Sequence, residues 1–185
     1  MVDKAVEQYG ALHIAFNNAG VFKPSLFQDI TEDTIDSILN TNVKAVAWCL
    51  KYQIPAMAKY AGGKGSIIVN TSIMAVRPTA APSMQGSGMY AASKAAAEML
   101  VKYGAIEGAP SNVRVNSVAP GHVETPIYGG MPTDMLTALT EKTQLLSRPI
   151  QSEEIAKTVV FLASSDASMV TGSSYAVDGG WGVKA

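Results

Sequence analysis

The sequence predicts an α/β domain: a doubly wound parallel sheet with helices on both faces. Three observations carry this. Short apolar runs at residues 12–16, 67–69, 113–118 and 175–177 alternate with longer stretches of helical periodicity, the pattern of βαβ units. Right-handed crossovers between parallel strands then wind helices onto both sides of the sheet. Hydrophobic residues make up 48% of the 185 and charged ones only 16%, against roughly 25% charged in ordinary soluble proteins. Central strands buried on both faces need that balance, and so does a subunit that buries more surface against copies of itself.

The elements follow in order. Residues 1–10 read as an amphipathic helix closed by Gly10. After the first strand, Thr31 is placed to cap a helix, with Glu32 and Asp33 in its first turn where the helix dipole favours anions. Ile35, Ile38, Leu39, Val43, Val46 and Leu50 continue it at helical spacing. Pro55 should kink or interrupt this helix before Gly62 and Gly63 end it. The segment 78–88, rich in Gly, Pro and Ser, is the strongest loop signal. An alanine-rich helix over 90–107 follows, and a last one begins near Ser152 with Glu153 and Glu154 in its first turn. No repeat, linker or low-complexity tract divides the chain, so residues 1–185 form a single domain.

Several functions are disfavoured at once. A net charge of −1 without charged blocks gives no electrostatic case for nucleic acid. No apolar run approaches the roughly 18 residues of a membrane span, and the first ten residues hold no signal-peptide core. The single Cys49 excludes an intrachain disulfide and fits a reducing compartment, so a soluble cytoplasmic or organellar protein is expected. His122 has no Cys, His or Asp cluster beside it, so no metal site is expected. His13 reads as a core residue of its strand and Cys49 as helix packing.

The chemistry gathers at strand ends and on one helix. Tyr90-Ala-Ala-Ser-Lys94 sets a phenol and an ammonium four positions apart on one helix face. A free phenol titrates near ~10, and a fixed cation nearby favours the phenolate. The pair can therefore pass a proton to or from an alcohol oxygen. The spacing alone says little, because Tyr60-Ala-Gly-Gly-Lys64 repeats it in a glycine turn. Its context is stronger. Ser72 ends the strand 66–72, at the carboxyl edge where ligands of α/β sheets bind; local backbone contacts would be its ordinary role. Asn17-Asn-Ala-Gly20 follows the first strand, where small residues admit a ligand or backbone and the amides can tie strand ends together. Pro120-Gly-His-Val-Glu-Thr125 follows the third strand.

Taken together these segments resemble the short-chain dehydrogenase/reductase family. The resemblance covers residues 9–182 and rests on Asn17-Asn-Ala-Gly20, Thr41-Asn42, Ser72, Tyr90-Ala-Ala-Ser-Lys94, Pro120-Gly-His-Val-Glu-Thr125 and Val177-Asp-Gly-Gly-Trp181, in order and on the right elements. It implies a Rossmann-like fold, and a hydride exchanged between NAD or NADP and a secondary alcohol or ketone. Tyr90 would be the general acid/base, with Lys94 lowering its pKa and binding the nicotinamide ribose. Ser72 would orient the substrate oxygen, and Asn42 would hold a water in a proton relay to Lys94. Asn18, Ala19 and Gly20 would lie beside the adenosine ribose, with Pro120, Gly121, Val123 and Thr125 beside the nicotinamide carboxamide. Small-molecule alcohols or ketones are the implied substrates, and the full-length protein is implied to be a homodimer or homotetramer.

Two departures from the family pattern matter. The family opens with a strand and a Thr-Gly-x-x-x-Gly-x-Gly turn that receives the pyrophosphate at a helix N-terminus. This chain has no such turn, and Gly62-Gly-Lys-Gly65 precedes a strand instead of following one. The fold is therefore expected to lack its first βαβαβ portion, roughly 60–80 residues at about 30 per unit. The strand 12–16 should then present an open apolar edge, and the isolated chain should bind cofactor poorly. The alternative is a non-catalytic fragment that pairs with full-length homologues. Secondly, 18 positions separate Ser72 from Tyr90, more than the family usually shows, and the loop 77–88 is expected to absorb them. The segment 127–147, with Tyr128, Met131, Met135 and Leu139, resembles the family's substrate-covering loop and helix.

Overall fold

The computed structural model describes residues 1–184. Four strands, β1 (Ile14–Asn17), β2 (Ser66–Asn70), β3 (Arg114–Pro120) and β4 (Ser174–Val177), form one sheet in the order β1-β2-β3-β4. All pairings are parallel, with Ile14 opposite Ser66, Ser66 opposite Arg114 and Ser117 opposite Ser174. Successive side chains of a strand point to opposite faces, and β2 feeds two cores accordingly. Ile67 and Val69 pack with Val46, Leu50, Met57, Val101 and Val115 under α3 (Ala45–Tyr60) and α4 (Gly88–Gly108). Ile68 packs on the other face with Val118, Ile155 and Leu162 of α6 (Ser152–Ala163). The doubly wound α/β architecture is the one the sequence predicts.

Local signals behave as their chemistry requires. Gly10 ends α1 (Val2–Tyr9) with a left-handed φ of 79°. Thr31 caps α2 (Glu32–Leu39), its side chain accepting from the Thr34 N–H at 3.2 Å. Gln151 and Glu154 close a reciprocal capping box on α6.

Three expectations need correction. Helix α3 runs through Pro55 to Tyr60, and the irregular turn lies earlier, in a π-helical segment at Asn40–Lys44 between α2 and α3. His13 is exposed instead of sitting in the core. Strand β2 stops at Asn70, so Ser72 lies beyond the strand, at the start of the 3-10 turn Ile73–Ala75. Cys49 is half-buried, with burial raising its thiol pKa, as a packing role requires.

Strand β1 is an edge strand in this sheet, and its Ile14 and Phe16 are 53% and 40% exposed. The open apolar edge expected from the sequence is present. A third apolar cluster sits at the C-terminal ends of the strands, with Ile73, Met74, Met84, Tyr90, Leu136 and Trp181 at its centre. Its outer wall comes from α5 (Thr133–Thr143). Met84 belongs to the loop 77–88, so the extra length before Tyr90 is folded onto this cluster. Gly86 makes that docking possible. Its φ is +80°, and a Cβ there would lie 2.8 Å from the Ser25 backbone nitrogen.

Candidate active site

A cleft of about 300 Å³ opens at the carboxyl ends of the strands, between the sheet edge and the third apolar cluster, where doubly wound sheets bind ligands. Ser72, Tyr90 and Lys94 line it, with Asn18, Gly20, Pro120, Gly121, Val123 and Thr125. Helix α4 delivers Tyr90 and Lys94 from one face, both buried. Lys94 Nζ donates to the Asn70 carbonyl at 2.9 Å and lies 5.7 Å from the centroid of the Tyr90 ring. Ser72 Oγ accepts from the Met74 N–H at 3.2 Å, which leaves its own proton to donate.

Two sequence-predicted residues stand apart from the cleft lining. Ala19 is exposed. Asn42 is buried, but its side chain is committed elsewhere: Oδ1 accepts from the Val21 N–H at 2.9 Å, and Nδ2 donates to the Val21 carbonyl and to Ser93 Oγ, each at 3.0 Å. Asn42 thus pins the segment after β1 to α4. Of the amides in 17–20, Asn18 ties two strand ends together and Asn17 ties β1 to α3. Asn17 exchanges two hydrogen bonds with Gln53 at 3.0 and 2.8 Å, and Asn18 Oδ1 accepts from Asn70 at 2.7 Å.

Burial dominates the electrostatics. It raises the Tyr90 phenol, with the Ser72 hydroxyl acting in the opposite direction. It lowers Lys94 to about 8, opposed by the Glu98 carboxylate one helical turn on. The net direction at Tyr90 is therefore upward, against the lowering expected from Lys94, because loss of water outweighs the Ser72 hydrogen bond.

Residues that the sequence reading passed over hold the site together. Glu98 is buried and accepts from Thr71 Oγ1, from Ser117 Oγ at 2.8 Å and from Ser174 Oγ at 2.9 Å. Asn70 supplies the carbonyl that anchors Lys94. Only its place at a strand end, next to Thr71 and Ser72, could have drawn attention to it.

The lining fits a nicotinamide nucleotide at its ribose end. One bond engages Lys94, an ammonium with three donors, while Asn70 Oδ1 is buried without a partner. Gly20 keeps the approach open, since a Cβ there would stand 3.1 Å from Lys94 Nζ. Among the described residues no group of three or more His, Cys, Asp or Glu could hold a metal. None of the helices among them is long and apolar enough to cross a membrane.

Comparison with known proteins agrees with this geometry. Residues 1–182 match the family model described as enoyl-(acyl carrier protein) reductase. Cyclohexanol dehydrogenase of Acinetobacter sp. (strain SE19) is 36% identical over 181 residues, covering 97% of this chain and 68% of that protein. The 3-oxoacyl-(acyl-carrier-protein) reductase FabG of Thermotoga maritima is 35% identical over 184 residues, covering 97% of this chain and 70% of that one. A crystal structure of a short-chain type dehydrogenase/reductase from Mycobacterium marinum superposes with a TM-score of 0.89 at 32% identity, covering 99% of this chain and 70% of that one. The chain belongs to the short-chain dehydrogenase/reductase family.

Proposed function

We propose that this protein is an NAD(P)-dependent oxidoreductase acting on a secondary alcohol or ketone, with Tyr90 as general acid/base. The convergence of Tyr90, Lys94 and Ser72 on one cleft at the carboxyl edge of the sheet carries the reading. When bound, the nicotinamide supplies the hydride chemistry. The chain's own residues do the rest. Ser72 donates to the substrate oxygen and holds it beside the phenol. Tyr90 transfers the proton to or from that oxygen. Lys94 offers its free donors to the ribose hydroxyls, and its charge stabilises the phenolate as it forms. Gly20 and Asn18 flank the nucleotide, with Pro120, Gly121, Val123 and Thr125 on the carboxamide side. Asn42 supports the relay by fixing the backbone around Val21.

No glycine-rich turn between a strand and a helix is found among the described residues, so no pyrophosphate cradle accompanies this ribose end. We therefore expect the 185-residue chain to bind NADH and NADPH only weakly. Isothermal titration tests this, and micromolar binding would refute it. A second reading, association with another subunit of the family, draws on the outer faces of α3 and α4. There Trp48, Tyr52, Tyr103 and Ile106 are 48–67% exposed. Co-elution with a full-length homologue in the absence of turnover would favour it.

The direct test of the enzymatic reading is formation of reduced nicotinamide from NAD+ or NADP+ with secondary alcohols. Tyr90→Phe should lower turnover by about 100-fold or more while preserving the fold. Equal turnover by the two proteins would overturn the assignment of Tyr90.

A further inference from the structure

The substrate side of the cleft holds a second polar pair that the acid/base reading leaves unused. Tyr128 lines the cleft from the 3-10 turn Pro126–Tyr128. Its hydroxyl lies 2.7 Å from Nδ1 of His122. His122 is wholly buried, with its ring stacked on Trp181 at 4.4 Å between centroids, and its Nε2 has no hydrogen-bond partner. Orphaned buried N–H groups are rarer than under-used acceptors. The tautomer that avoids an orphaned N–H carries its proton on Nδ1 and donates it to the Tyr128 oxygen, with Nε2 as a bare lone pair. The Tyr128 O–H is then free to donate into the cleft. Burial pushes His122 down to about 4 and raises the Tyr128 phenol, so both groups stay neutral at ordinary pH. Tyr90 is close enough that its charge would raise Tyr128 further, and both rings pack in the cluster of Ile73, Met74 and Trp181.

We propose that Tyr128, oriented by His122, is a second substrate-binding residue, and that the substrate is a neutral, mostly apolar compound carrying two oxygens. One oxygen meets Tyr90 and Ser72, and the other accepts from Tyr128. This rests on the oxidoreductase reading given above. The walls between the two phenols are apolar, with Phe22, Met74, Met84 and Trp181. Lys94 is the one fixed cation among the described lining residues and is turned to the Asn70 carbonyl. A carboxylate at Tyr128 would be buried without a counter-charge, so the second oxygen is a hydroxyl or carbonyl.

Binding and turnover are measured separately to test this. Cyclohexanol, the 1,2-, 1,3- and 1,4-cyclohexanediols and 4-hydroxycyclohexanecarboxylate are titrated by protein-observed NMR into wild type, Tyr128→Phe and His122→Phe, the last keeping the stacked ring. The best diol should bind wild type about fivefold tighter than cyclohexanol, the effect of one neutral hydrogen bond. That ratio should fall to about one in both variants. A ratio near one in wild type, an undiminished ratio in Tyr128→Phe, or tightest binding by the carboxylate would overturn the proposal. Formation of reduced nicotinamide from the same alcohols tests the underlying reading. Diol preference in binding without any hydride transfer would leave the subsite standing and sink the oxidoreductase reading; turnover without diol preference would do the reverse.

Discussion

Lys94 Nζ lies 5.7 Å from the centroid of the Tyr90 ring and 2.9 Å from the Asn70 carbonyl, which places a buried ammonium and a buried phenol side by side. Each group's charged form is disfavoured by the same burial, so the phenol rises and the ammonium falls to about 8. An ion pair across this gap becomes favourable only when the phenolate forms. In the resting protein the neutral phenol is therefore the favoured form.

This relationship predicts a trade between stability and activity at Lys94. Its folded pKa lies below its unfolded one, so the folded state is penalised while both hold the proton. Stability should rise as pH climbs from about 8 towards 10.5, the unfolded value. Lys94→Met removes the charge and keeps the volume. It should melt about 2–6 °C above wild type at neutral pH and lose most turnover. A lower melting temperature would contradict the burial penalty.

Glu98 is predicted to act as a structural keystone. Its carboxylate gathers hydroxyls from Thr71 just after β2, Ser117 of β3 and Ser174 of β4. Glu98→Ala orphans the Ser117 and Ser174 hydroxyls, leaves Thr71 with the Val118 carbonyl at 3.0 Å, and opens a cavity, at a cost of about 2–4 kcal/mol. Glu98→Gln keeps one acceptor and should cost less. Urea denaturation measures both, and an equal loss in the two variants would show that the amide retains none of the carboxylate's contribution and that filling the volume is of no help there.

What the sequence disclosed, and what it hid, divides by range. Thr31, Gly10, Tyr90 and Lys94 act through neighbours within a turn or two, so spacing reveals them, and the alternation of strands and helices gave the sheet. Glu98 binds hydroxyls 19 to 76 positions away, and His122 meets Trp181 only when the chain returns to the cleft. No local pattern marks such partners. Asn42 was found by its motif, but its commitment to Val21 and Ser93 comes from tertiary packing. Pro55 misled because a proline announces a break, whereas the irregular turn is the π segment at Asn40–Lys44, whose residues carry no such warning.

Gly121 should tolerate no side chain. A Cβ there would stand 2.7 Å from Gln144 Oε1 and 2.9 Å from the Asp178 Cα. Neither can retreat easily. Gln144 Oε1 accepts from the His122 N–H at 2.8 Å, and the Gly121 N–H binds the Val177 carbonyl at 3.0 Å. Gly121→Ala should therefore cost about 1–3 kcal/mol, read as a lowered thermal midpoint. A midpoint equal to that of wild type would mean the turn is looser than these distances imply.

His122 makes the fold sensitive to mild acid. Its pKa falls from 6.5 to about 4 because the ring is buried, with Tyr128 and Trp181 against it. Between those values the unfolded chain binds a proton that the folded one refuses, so stability rises with pH there and is lost as pH falls from about 6.5 towards 4. The full effect is on the order of 3 kcal/mol. Carboxylates add their own acid sensitivity, notably Glu154, held near 2 by Arg148, but its contribution is lost from about 4.5 down towards 2, so it touches only the acid end of this window. Thermal midpoints of wild type and His122→Phe across pH 7 to 4.5 isolate the histidine. The variant's profile should be flatter, and parallel profiles would assign the acid loss elsewhere.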